Sequence, residues 1–334
     1  MKVIIPLAGF GKRMRPYTWS RAKPLLHVAG KTVIGHLLDL MSDITTEEVV
    51  FVIGYKGEQI EAWIREQYPH LDSHFVVQEE LLGQAHALWL CRDFMDEGEL
   101  VIAFGDGIVQ ARYTELPDAT ADVVMLVQEV EDPRKFGVVA TDENGFVTEL
   151  IEKPDHDRYR QAIAGIHWFR HGRTLRQALD RIIADGRQTK GEYYLADAYQ
   201  VLLEEGIKVR TQETIFWLDA GNPENILATN ERLLGLGYGS EEAIDRSYAE
   251  DFTALPPVFI HAEASVDSSV IGPYVSIGPG AKISNCIIKN SIIDAGAQLE
   301  NCLLEDALIG ENAKVTGKRM SMFLGDDSSV EIRD

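Results

Sequence analysis

The sequence predicts an α/β protein in which a doubly wound, Rossmann-like mixed sheet is followed by a parallel β-helix. Over the first two thirds of the 334 residues, aliphatic runs alternate with helical patterns. This alternation is typical of strands covered by helices on both faces of a sheet. From about Leu255 the aliphatic residues recur in steps of five or six, which is typical of stacked coils. We therefore expect an α/β domain over 1–236, a linker over 237–257 and a β-helix over 258–334.

The overall composition is acidic. The chain carries 32 lysine and arginine residues against 53 aspartate and glutamate residues, a formal net charge of -21. Such a surface repels nucleic acid and anionic membranes, so neither is expected as a partner. Since no apolar run is long enough for a membrane helix and no signal-peptide pattern is present, we expect a cytoplasmic protein. Cys91, Cys286 and Cys302 fit neither a disulfide framework nor a zinc site, and we expect buried thiols.

The first predicted strand, 3–7, leads into a glycine-rich basic loop. Gly9 and Gly11 leave room for backbone N–H groups to approach a polyphosphate. Four cations follow closely: Lys12, Arg13, Arg15 and Lys23. In an acidic chain such a cluster needs its own anion, so we expect a small phosphate compound as the partner.

Other interpretations of this loop are possible from the loop alone. A dinucleotide-binding turn needs a third glycine where Met14 stands, and an acidic residue closing a second strand roughly 20 residues later. Asp39 lies at about that distance but inside an amphipathic run. A Walker loop needs Gly-Lys-Ser/Thr after four spacer residues, and this pattern is absent. A plain glycine-rich turn with a solvated basic face stays open at this point.

The elements after the loop continue the alternation of strand and helix. Apolar residues at helical or continuous spacing predict a helix over 31–41, a strand over 48–53, a helix over 57–68, a strand over 75–77 and a helix from about 84. Later segments predict strands over 100–104 and 123–130, a hairpin of 137–139 with 145–151, a strand over 163–169, a helix over 191–205, a strand over 216–221 and a helix over 223–234. Ligands of such sheets bind at the carboxyl ends of the strands.

Two aspartates each end a predicted strand beside glycine. Asp106 lies between Gly105 and Gly107, and Asp219 lies two residues before Gly221. In a parallel sheet both strand ends lie on the ligand-binding edge, where two neighbouring carboxylates repel unless a cation lies between them. Mg²⁺ favours one or two carboxylates plus phosphate oxygens, so these residues are candidate metal ligands. The alternative is that each aspartate only caps a turn or a helix.

The regular spacing of aliphatic residues in the carboxyl-terminal part of the chain predicts the β-helix coils. The repeating aliphatic positions are Ile260, Val266, Ile271, Ile277, Ile283, Ile288, Ile293, Leu299, Leu304, Ile309 and Val315. Cys286 and Cys302 occupy corresponding places in Ser-Asn-Cys and Glu-Asn-Cys triplets. We expect these two thiols to stack inside the coils.

Several short motifs keep a family-specific order along 1–234. They are Ala8-Gly-Phe-Gly-Lys-Arg13, Lys23-Pro24, Gln78 with Gly83, Gly105-Asp106, Gly137-Val-Val139, Glu152-Lys-Pro154, Ala164-Gly165 and Trp217-Leu-Asp-Ala-Gly221. In this order and spacing they resemble the sugar-1-phosphate nucleotidylyltransferases. The coils and the Phe323-Leu-Gly-Asp326 ending are similar to the long-form glucose-1-phosphate thymidylyltransferases. This resemblance implies the nucleotide-diphospho-sugar transferase fold with an added left-handed β-helix.

The resemblance also implies a reaction and a set of roles. A sugar 1-phosphate, with glucose 1-phosphate favoured, attacks the α-phosphorus of a nucleoside triphosphate directly and releases pyrophosphate, so positioning and charge stabilisation carry the catalysis. The implied catalytic residues are Arg13, Lys23 and Lys153; the nucleotide-binding residues Ala8, Gly9, Gly11, Gln78 and Gly83; the sugar-binding residues Gly137, Glu152, Gly165 and Glu192; and the Mg²⁺ ligands Asp106 and Asp219.

The base-reading motif favours dTTP or UTP. Gln78 and Gly83 keep the spacing used for a pyrimidine, and the flanking Leu81 and Leu82 offer little to the exocyclic amine of guanine. Two departures concern the sugar contacts. Gly107 stands where the family often has asparagine or histidine, and Ile163 stands where it often has asparagine.

Two alternatives concern the role of the whole chain. A non-catalytic regulatory or scaffold relative is expected to lose the metal carboxylates or phosphate lysines, yet Asp106, Asp219, Lys23 and Lys153 are all present. An acyltransferase β-helix usually needs a histidine base in the coils, where only His261 is available. We expect the coils to serve a homo-oligomer contact or an allosteric platform instead.

Overall fold

The amino-terminal part of the chain is built on one mixed β-sheet. The computed structural model describes residues 1–188, 191–249 and 251–318. The chain divides into two compact units, which meet in the sequence between Thr229 and Asn230. The 323–326 motif lies outside the described residues.

The first unit contains the predicted alternation of strands and helices. Its strands are β1 (Lys2–Pro6), β2 (His27–Val28), β3 (Lys31–Thr32), β4 (Glu48–Ile53), β5 (Ser73–Val77), β6 (Leu100–Ala103), β7 (Gly107–Gln110), β8 (Val123–Glu129), β9 (Gly137–Thr141), β10 (Val147–Glu152), β11 (Gln161–Phe169), β12 (Val209–Glu213) and β13 (Phe216–Asp219). Its helices are α1 (Val33–Leu40), α2 (Gly57–Gln67), α3 (Gln84–Trp89), α4 (Gly172–Ala184), α5 (Leu195–Glu204) and α6 (Pro223–Leu233), the last of which continues into the second unit.

The main sheet has both parallel and antiparallel pairs. Its strands follow the order β10-β9-β11-β6-β1-β4-β5, and β8 pairs with β11 and β12. The strands β6, β1, β4 and β5 are parallel to one another. By contrast, β11 runs antiparallel to β6 and β8, and β9 with β10 forms the predicted hairpin. The predicted doubly wound mixed sheet is confirmed.

Hydrophobic side chains cover both faces of this sheet. Ile4 packs in one cluster with side chains from α3, α4 and α5, whereas its neighbours Val3 and Ile5 pack in another with side chains from α1 and α2. Successive residues of a strand point to opposite faces, so the two clusters lie on the two sides of the sheet. The continuous aliphatic strands read from the sequence therefore follow from burial on both faces.

Two helices begin later than the sequence predicts. The helix predicted from 31 begins at Val33, because Lys31 and Thr32 pair with β2 and the Thr32 hydroxyl accepts a hydrogen bond from the Gly35 N–H at 3.0 Å. The helix predicted from 191 begins at Leu195. Tyr193 instead donates its N–H to the Leu82 carbonyl at 2.7 Å and accepts from the Ala85 N–H at 3.1 Å.

The second unit forms the predicted coils. After α6 come a π-helical turn, Leu234–Tyr238, and α7 (Glu241–Ala249). The coil strands are β14 (Phe252–Ala254), β15 (Val258–Ile260), β16 (Ser265–Asp267), β17 (Ser269–Ile271), β18 (Val275–Ile277), β19 (Lys282–Ser284), β20 (Ile287–Lys289), β21 (Ile292–Ile293), β22 (Gln298–Glu300), β23 (Leu303–Glu305), β24 (Leu308–Ile309) and β25 (Lys314–Thr316). They form three parallel sheets of four strands, ordered β14-β17-β20-β23, β15-β18-β21-β24 and β16-β19-β22-β25. This arrangement confirms the left-handed β-helix.

Aliphatic residues of successive coils pair with one another in the parallel strands, so their side chains stack in rows. One row in strand register is Ile260, Ile277, Ile293 and Ile309. Cys286 and Cys302 are both buried and free, as the sequence predicts, and burial raises the pKa of the Cys286 thiol. Several turns between the strands use asparagine at positive φ, a conformation that asparagine tolerates better than most residues.

None of the helices in the described ranges combines the length and the apolar character needed to cross a membrane.

Candidate active site

The loop after β1 folds into three short 3-10 turns. These turns are Lys12–Met14, Tyr17–Trp19 and Lys23–Leu25. Gly11 has φ 60°, and a Cβ placed there would lie 3.0 Å from the Lys23 Cβ, so a glycine allows Lys23 to pack against the loop. The Thr18 hydroxyl donates to the Gly11 carbonyl at 2.9 Å, and Met14 is fully buried beneath the loop. Arg13 and Lys23, two cations predicted from separate stretches of the sequence, thus belong to one packed loop.

Two adjoining cavities open beside this loop. The first, of about 390 Å³, is lined by the following predicted site residues: Ala8, Gly9, Gly11, Arg13, Lys23, Gln78, Gly83, Asp106 and Glu192. The second, of about 470 Å³, is lined by the following predicted site residues: Arg13, Asp106, Gly137, Glu152, Lys153, Gly165, Glu192 and Asp219. Arg13, Asp106 and Glu192 line both. The structure therefore brings all the predicted residues to one continuous site, although they come from loops far apart in the sequence.

The two aspartates reach this site by different routes. Asp106 follows the parallel strand β6, as predicted. The strand before Asp219 is not part of the parallel sheet, because β13 pairs antiparallel with β7 in a separate two-stranded ribbon. In that ribbon Asp219 lies opposite Gly107, and the Ala220 N–H donates to the Asp106 carbonyl at 3.3 Å. The predicted proximity of the two aspartates holds, but the parallel-sheet reason given for Asp219 was wrong.

Polar and cationic neighbours hold both carboxylates. The Lys23 ammonium lies 3.1 Å from Asp106 Oδ2, with the lysine side chain 11% exposed and the aspartate side chain 58% exposed. The Asn225 side-chain amide donates to Asp219 Oδ2. A Cβ at Gly221 would lie 2.8 Å from that oxygen and 3.1 Å from Arg13 Nη2. Gly221 therefore permits a close approach of the Arg13 guanidinium and the Asp219 carboxylate.

The donor set of these aspartates fits a magnesium ion. Two carboxylates on adjacent segments, beside cationic groups suited to phosphate, leave coordination positions for phosphate oxygens and water. Another group within the described ranges, Glu48, Asp72 and His74, has its ligand atoms within 4.8 Å of one another. It lies at the start of β4 and β5, the opposite strand ends from the cavities, and His74 Nε2 is 3.7 Å from Asp72 Oδ1.

One end of the first cavity is formed by Gln78 and Gly83. The Gln78 side-chain amide donates to the Gly83 carbonyl at 3.1 Å. Gly83 has φ 101°, and a Cβ there would lie 2.5 Å from the Tyr193 carbonyl oxygen. Only glycine fits this position, because both the backbone conformation and the contact with Tyr193 exclude a side chain.

The second cavity is bordered by the β9–β10 hairpin. Gly137 lies opposite Glu152, and a Cβ at Gly137 would be 3.0 Å from Glu152 Oε2. Lys153 has φ 49°, and its ammonium is 3.6 Å from Glu152 Oε1. Gly165 has φ 76° and contacts Phe104, whose N–H donates to the Gly165 carbonyl at 2.9 Å. Gly165 thus permits a close approach of the backbone and side chain of Phe104.

Two buried polar residues of the second cavity were not among those predicted from the sequence. His167 and Tyr199 are buried with ring centroids 5.2 Å apart. Burial lowers the pKa of His167 to about 3, so its imidazole is neutral. Within the described part of the chain, neither His167 Nδ1 nor the Tyr199 hydroxyl has a hydrogen-bond partner. The sequence feature that could have identified His167 as a site residue was its position two residues after Gly165 in the same strand.

Comparison with known proteins gives a consistent result. A family model described as nucleotidyl transferase matches residues 2–235. A glucose-1-phosphate thymidylyltransferase of Streptomyces griseus is 28% identical, covering 88% of this chain and 86% of the relative. The UTP–glucose-1-phosphate uridylyltransferase AglF of Haloferax volcanii is 30% identical, covering 70% and 96%. A crystal structure from Bacillus anthracis, described as a glucose-1-phosphate thymidylyltransferase in complex with a sucrose, superposes with a TM-score of 0.59 at 26% identity, covering 69% and 94%.

Proposed function

The chain belongs to the sugar-1-phosphate nucleotidyltransferase family, and we propose that it joins dTTP or UTP to glucose 1-phosphate, giving the nucleotide-sugar and pyrophosphate. The observation that carries this proposal is the pair of adjoining cavities that share Arg13, Asp106 and Glu192. The first cavity has the Gln78 amide and the Gly83 backbone, which suit the polar edge of a base. The second is bordered by the β9–β10 hairpin with Glu152, which suits sugar hydroxyl groups. Their junction is where a phosphate oxygen of one substrate meets the α-phosphate of the other.

The chemistry needs no protein nucleophile. An oxygen of the sugar phosphate forms the new bond to the α-phosphorus, and the bond from that phosphorus to the oxygen bridging to the β-phosphate breaks, so pyrophosphate leaves. Arg13 and the N–H groups at Gly9 and Gly11 bind the triphosphate and the leaving pyrophosphate, Lys23 contacts the α-phosphate, and Lys153 holds the attacking phosphate. These groups align the reactants and balance the charge that develops between them.

Asp106 and Asp219 are the residues that we assign to Mg²⁺. When bound, the ion supplies Lewis-acid stabilisation of the α-phosphate oxygens. The Lys23 ammonium lies 3.1 Å from Asp106 and balances part of its negative charge. The lysine that we assign to the α-phosphate therefore lies beside a carboxylate that we assign to the metal ion.

A panel of substrates tests this function. Purified full-length protein with Mg²⁺ is mixed with each of dTTP, UTP, CTP, GTP and ATP, and with several sugar 1-phosphates, and pyrophosphate release is measured. We expect turnover with glucose 1-phosphate and with dTTP or UTP. Comparable or faster turnover with GTP contradicts the nucleotide assignment, and no pyrophosphate release with any pair contradicts the function.

We further infer that the β-helix joins two copies of this chain. Ile287 and Leu303 are adjacent in strand register and are 53% and 79% exposed. Beside them Lys289 pairs with Glu305 in the next coil. A two-fold arrangement would bury the apolar pair and set the lysine of one copy against the glutamate of the other, which suits a self-complementary contact.

Replacing Leu303 with lysine tests the association. The substitution adds a like charge on both sides of a two-fold contact, so we expect a lower mass in light scattering at the same protein concentration. Leu255→Lys is the matched control, because Leu255 is also exposed, at 43%, but lies outside the coil strands. Equal masses for wild type and both variants count against this surface.

A further inference from the structure

We infer that His86, which lies outside the cavities, fixes the orientation of the Gln78 amide and thereby makes the site select uracil and thymine over cytosine. This inference rests on the proposed function, since it concerns the nucleotide that the same site accepts. His86 lines neither of the two cavities formed by the described residues. Its role is therefore to position Gln78 rather than to touch the substrate.

The Gln78 side chain has only one satisfactory orientation. Its amide nitrogen lies 3.1 Å from the Gly83 carbonyl oxygen and 3.2 Å from His86 Nδ1. A carbonyl oxygen only accepts hydrogen bonds, so the nitrogen and not the oxygen of the amide must face Gly83. The second amide hydrogen then points at His86 Nδ1, which accepts it when the ring carries its proton on Nε2.

This arrangement leaves the Gln78 Oε1 atom as an acceptor at the cavity. Gln78 is 5% exposed and lines the first cavity, and no described residue donates a hydrogen bond to Oε1. The Gln78 backbone is also fixed, because its N–H donates to the Ile53 carbonyl at 2.8 Å. The side chain therefore presents a fixed acceptor, and rotating the amide by half a turn would break its hydrogen bond to Gly83.

A fixed acceptor distinguishes the pyrimidine bases. Uracil and thymine carry an N3–H donor between two carbonyl oxygens, which matches Oε1. Cytosine has an unprotonated N3 with a lone pair, so the same placement sets two acceptors against each other. A site built around one hydrogen bond rejects the analogue that cannot make it, because a buried polar group is left unpaired.

The environment of His86 keeps the accepting form of the imidazole. Burial lowers the pKa of His86, and the Glu80 carboxylate opposes this effect more weakly. Charged groups around α3 include Arg92, which stacks on Trp89, and Asp180 of α4, which accepts from the Trp89 indole. Arg176 of α4 lies 3.7 Å from Asp180 and balances its charge. The Trp89 ring in turn stacks on His86 with centroids 6.3 Å apart. The packed helix α5 contributes Asp197 near its start.

Protonation of His86 removes the orienting contact. An imidazolium has N–H donors at both nitrogens, so Nδ1 then opposes the Gln78 amide hydrogen instead of accepting it. The contact is present above the pKa of His86 and is lost as the pH falls through that pKa. Discrimination between UTP and CTP should therefore weaken in acid, below the ordinary histidine pKa of about 6.5.

The experiment compares UTP with CTP in three full-length proteins: wild type, His86→Asn and His86→Phe. The two nucleotides have the same size and the same triphosphate, so the ratio of their kcat/KM values cancels the titration of the phosphates. Asparagine can place Oδ1 near the position of Nδ1 as an acceptor that does not titrate, whereas phenylalanine offers none. Rates are taken from pyrophosphate release between pH 5.5 and pH 8.

We expect wild type to prefer UTP by about a hundredfold or more at pH 8. The preference should fall about tenfold or more in His86→Phe and be largely kept in His86→Asn. Toward pH 5.5 the protonation of cytosine N3 lowers the preference in both proteins, because protonated cytosine carries an N3–H donor. The decline should be clearly larger in wild type than in His86→Asn, since only wild type also loses the accepting imidazole. If His86→Phe does not fold, the pH series of wild type against His86→Asn still decides the matter.

Two outcomes overturn the inference while leaving the function intact. One is a UTP preference in His86→Phe equal to that of wild type, and the other is the same acid decline in wild type and in His86→Asn. Absence of pyrophosphate release by wild type with every pyrimidine nucleotide instead contradicts the proposed function itself. Nucleotide-dependent thermal shifts with UTP and with CTP give a second readout of selectivity that does not require turnover.

Discussion

Replacing Asp106 or Asp219 with asparagine is expected to lower turnover by about a hundredfold or more, roughly 3 kcal/mol of transition-state stabilisation. Asparagine keeps the size of the side chain but removes a negative charge that the assigned Mg²⁺ needs. Stability should change little. The Lys23–Asp106 contact is partly exposed and therefore contributes at most about 1 kcal/mol. Asn225 can still donate to an asparagine at 219.

The control for this prediction is Asp72→Asn. Asp72 belongs to the Glu48, Asp72 and His74 group at the opposite strand ends. Its replacement removes one carboxylate charge but should leave turnover and its Mg²⁺ requirement unchanged. Excess Mn²⁺ or Mg²⁺ should restore part of the loss in Asp106→Asn. Near-normal pyrophosphate release by both site variants, or full activity of wild type in EDTA, would falsify the metal assignment.

Replacing Arg13 with methionine is expected to lower kcat/KM by about a thousandfold, because an arginine that balances transferring phosphate charge contributes on this scale. Arg13 lines both cavities and lies beside Gly221 and the Asp219 carboxylate. Arg13→Lys should recover only part of the loss, since an ammonium keeps the charge but lacks the planar fork of donors.

Arg15→Met is the matched control for Arg13→Met. Arg15 belongs to the same loop and carries the same charge, but it is exposed and does not line either cavity of the described chain. Its loss should reduce kcat/KM by less than about threefold, an effect of long-range attraction that high salt removes. Equal losses in the two variants, both abolished by salt, would mean that Arg13 attracts the nucleotide without touching it.

The site residues could be predicted from the sequence because their signals are local. A short stretch of sequence is enough to recognise glycines at a strand end, a cation after them, or an aspartate after a buried strand. The strand ends of an α/β sheet lie on one edge, so such residues are expected to lie close together. Gly9, Lys23 and Asp106 were named on that basis, Lys153 was named from the resemblance to the family, and each lines a cavity. Their chemical roles stay predictions, which the substitutions above test.

The residues that were missed depend on contacts between distant segments. His167 and Tyr199 come from β11 and α5, and they meet only because that helix packs over the sheet. The hydrogen bond between Gln78 and His86 likewise depends on the path of the loop between β5 and α3. The periodicity of the sequence does not predict that path.

The sequence alone determined the alternating α/β pattern and the stacked coils, because burial of one or both faces imposes a period on the chain itself. Only the tertiary structure decided that β13 pairs with β7 in a ribbon of its own, which brings Asp219 opposite Gly107. It also decided that Lys23 contacts Asp106 across 83 positions of the chain. A strand's partner and a side chain's neighbours are selected by packing against distant segments, and a local pattern is compatible with several such choices.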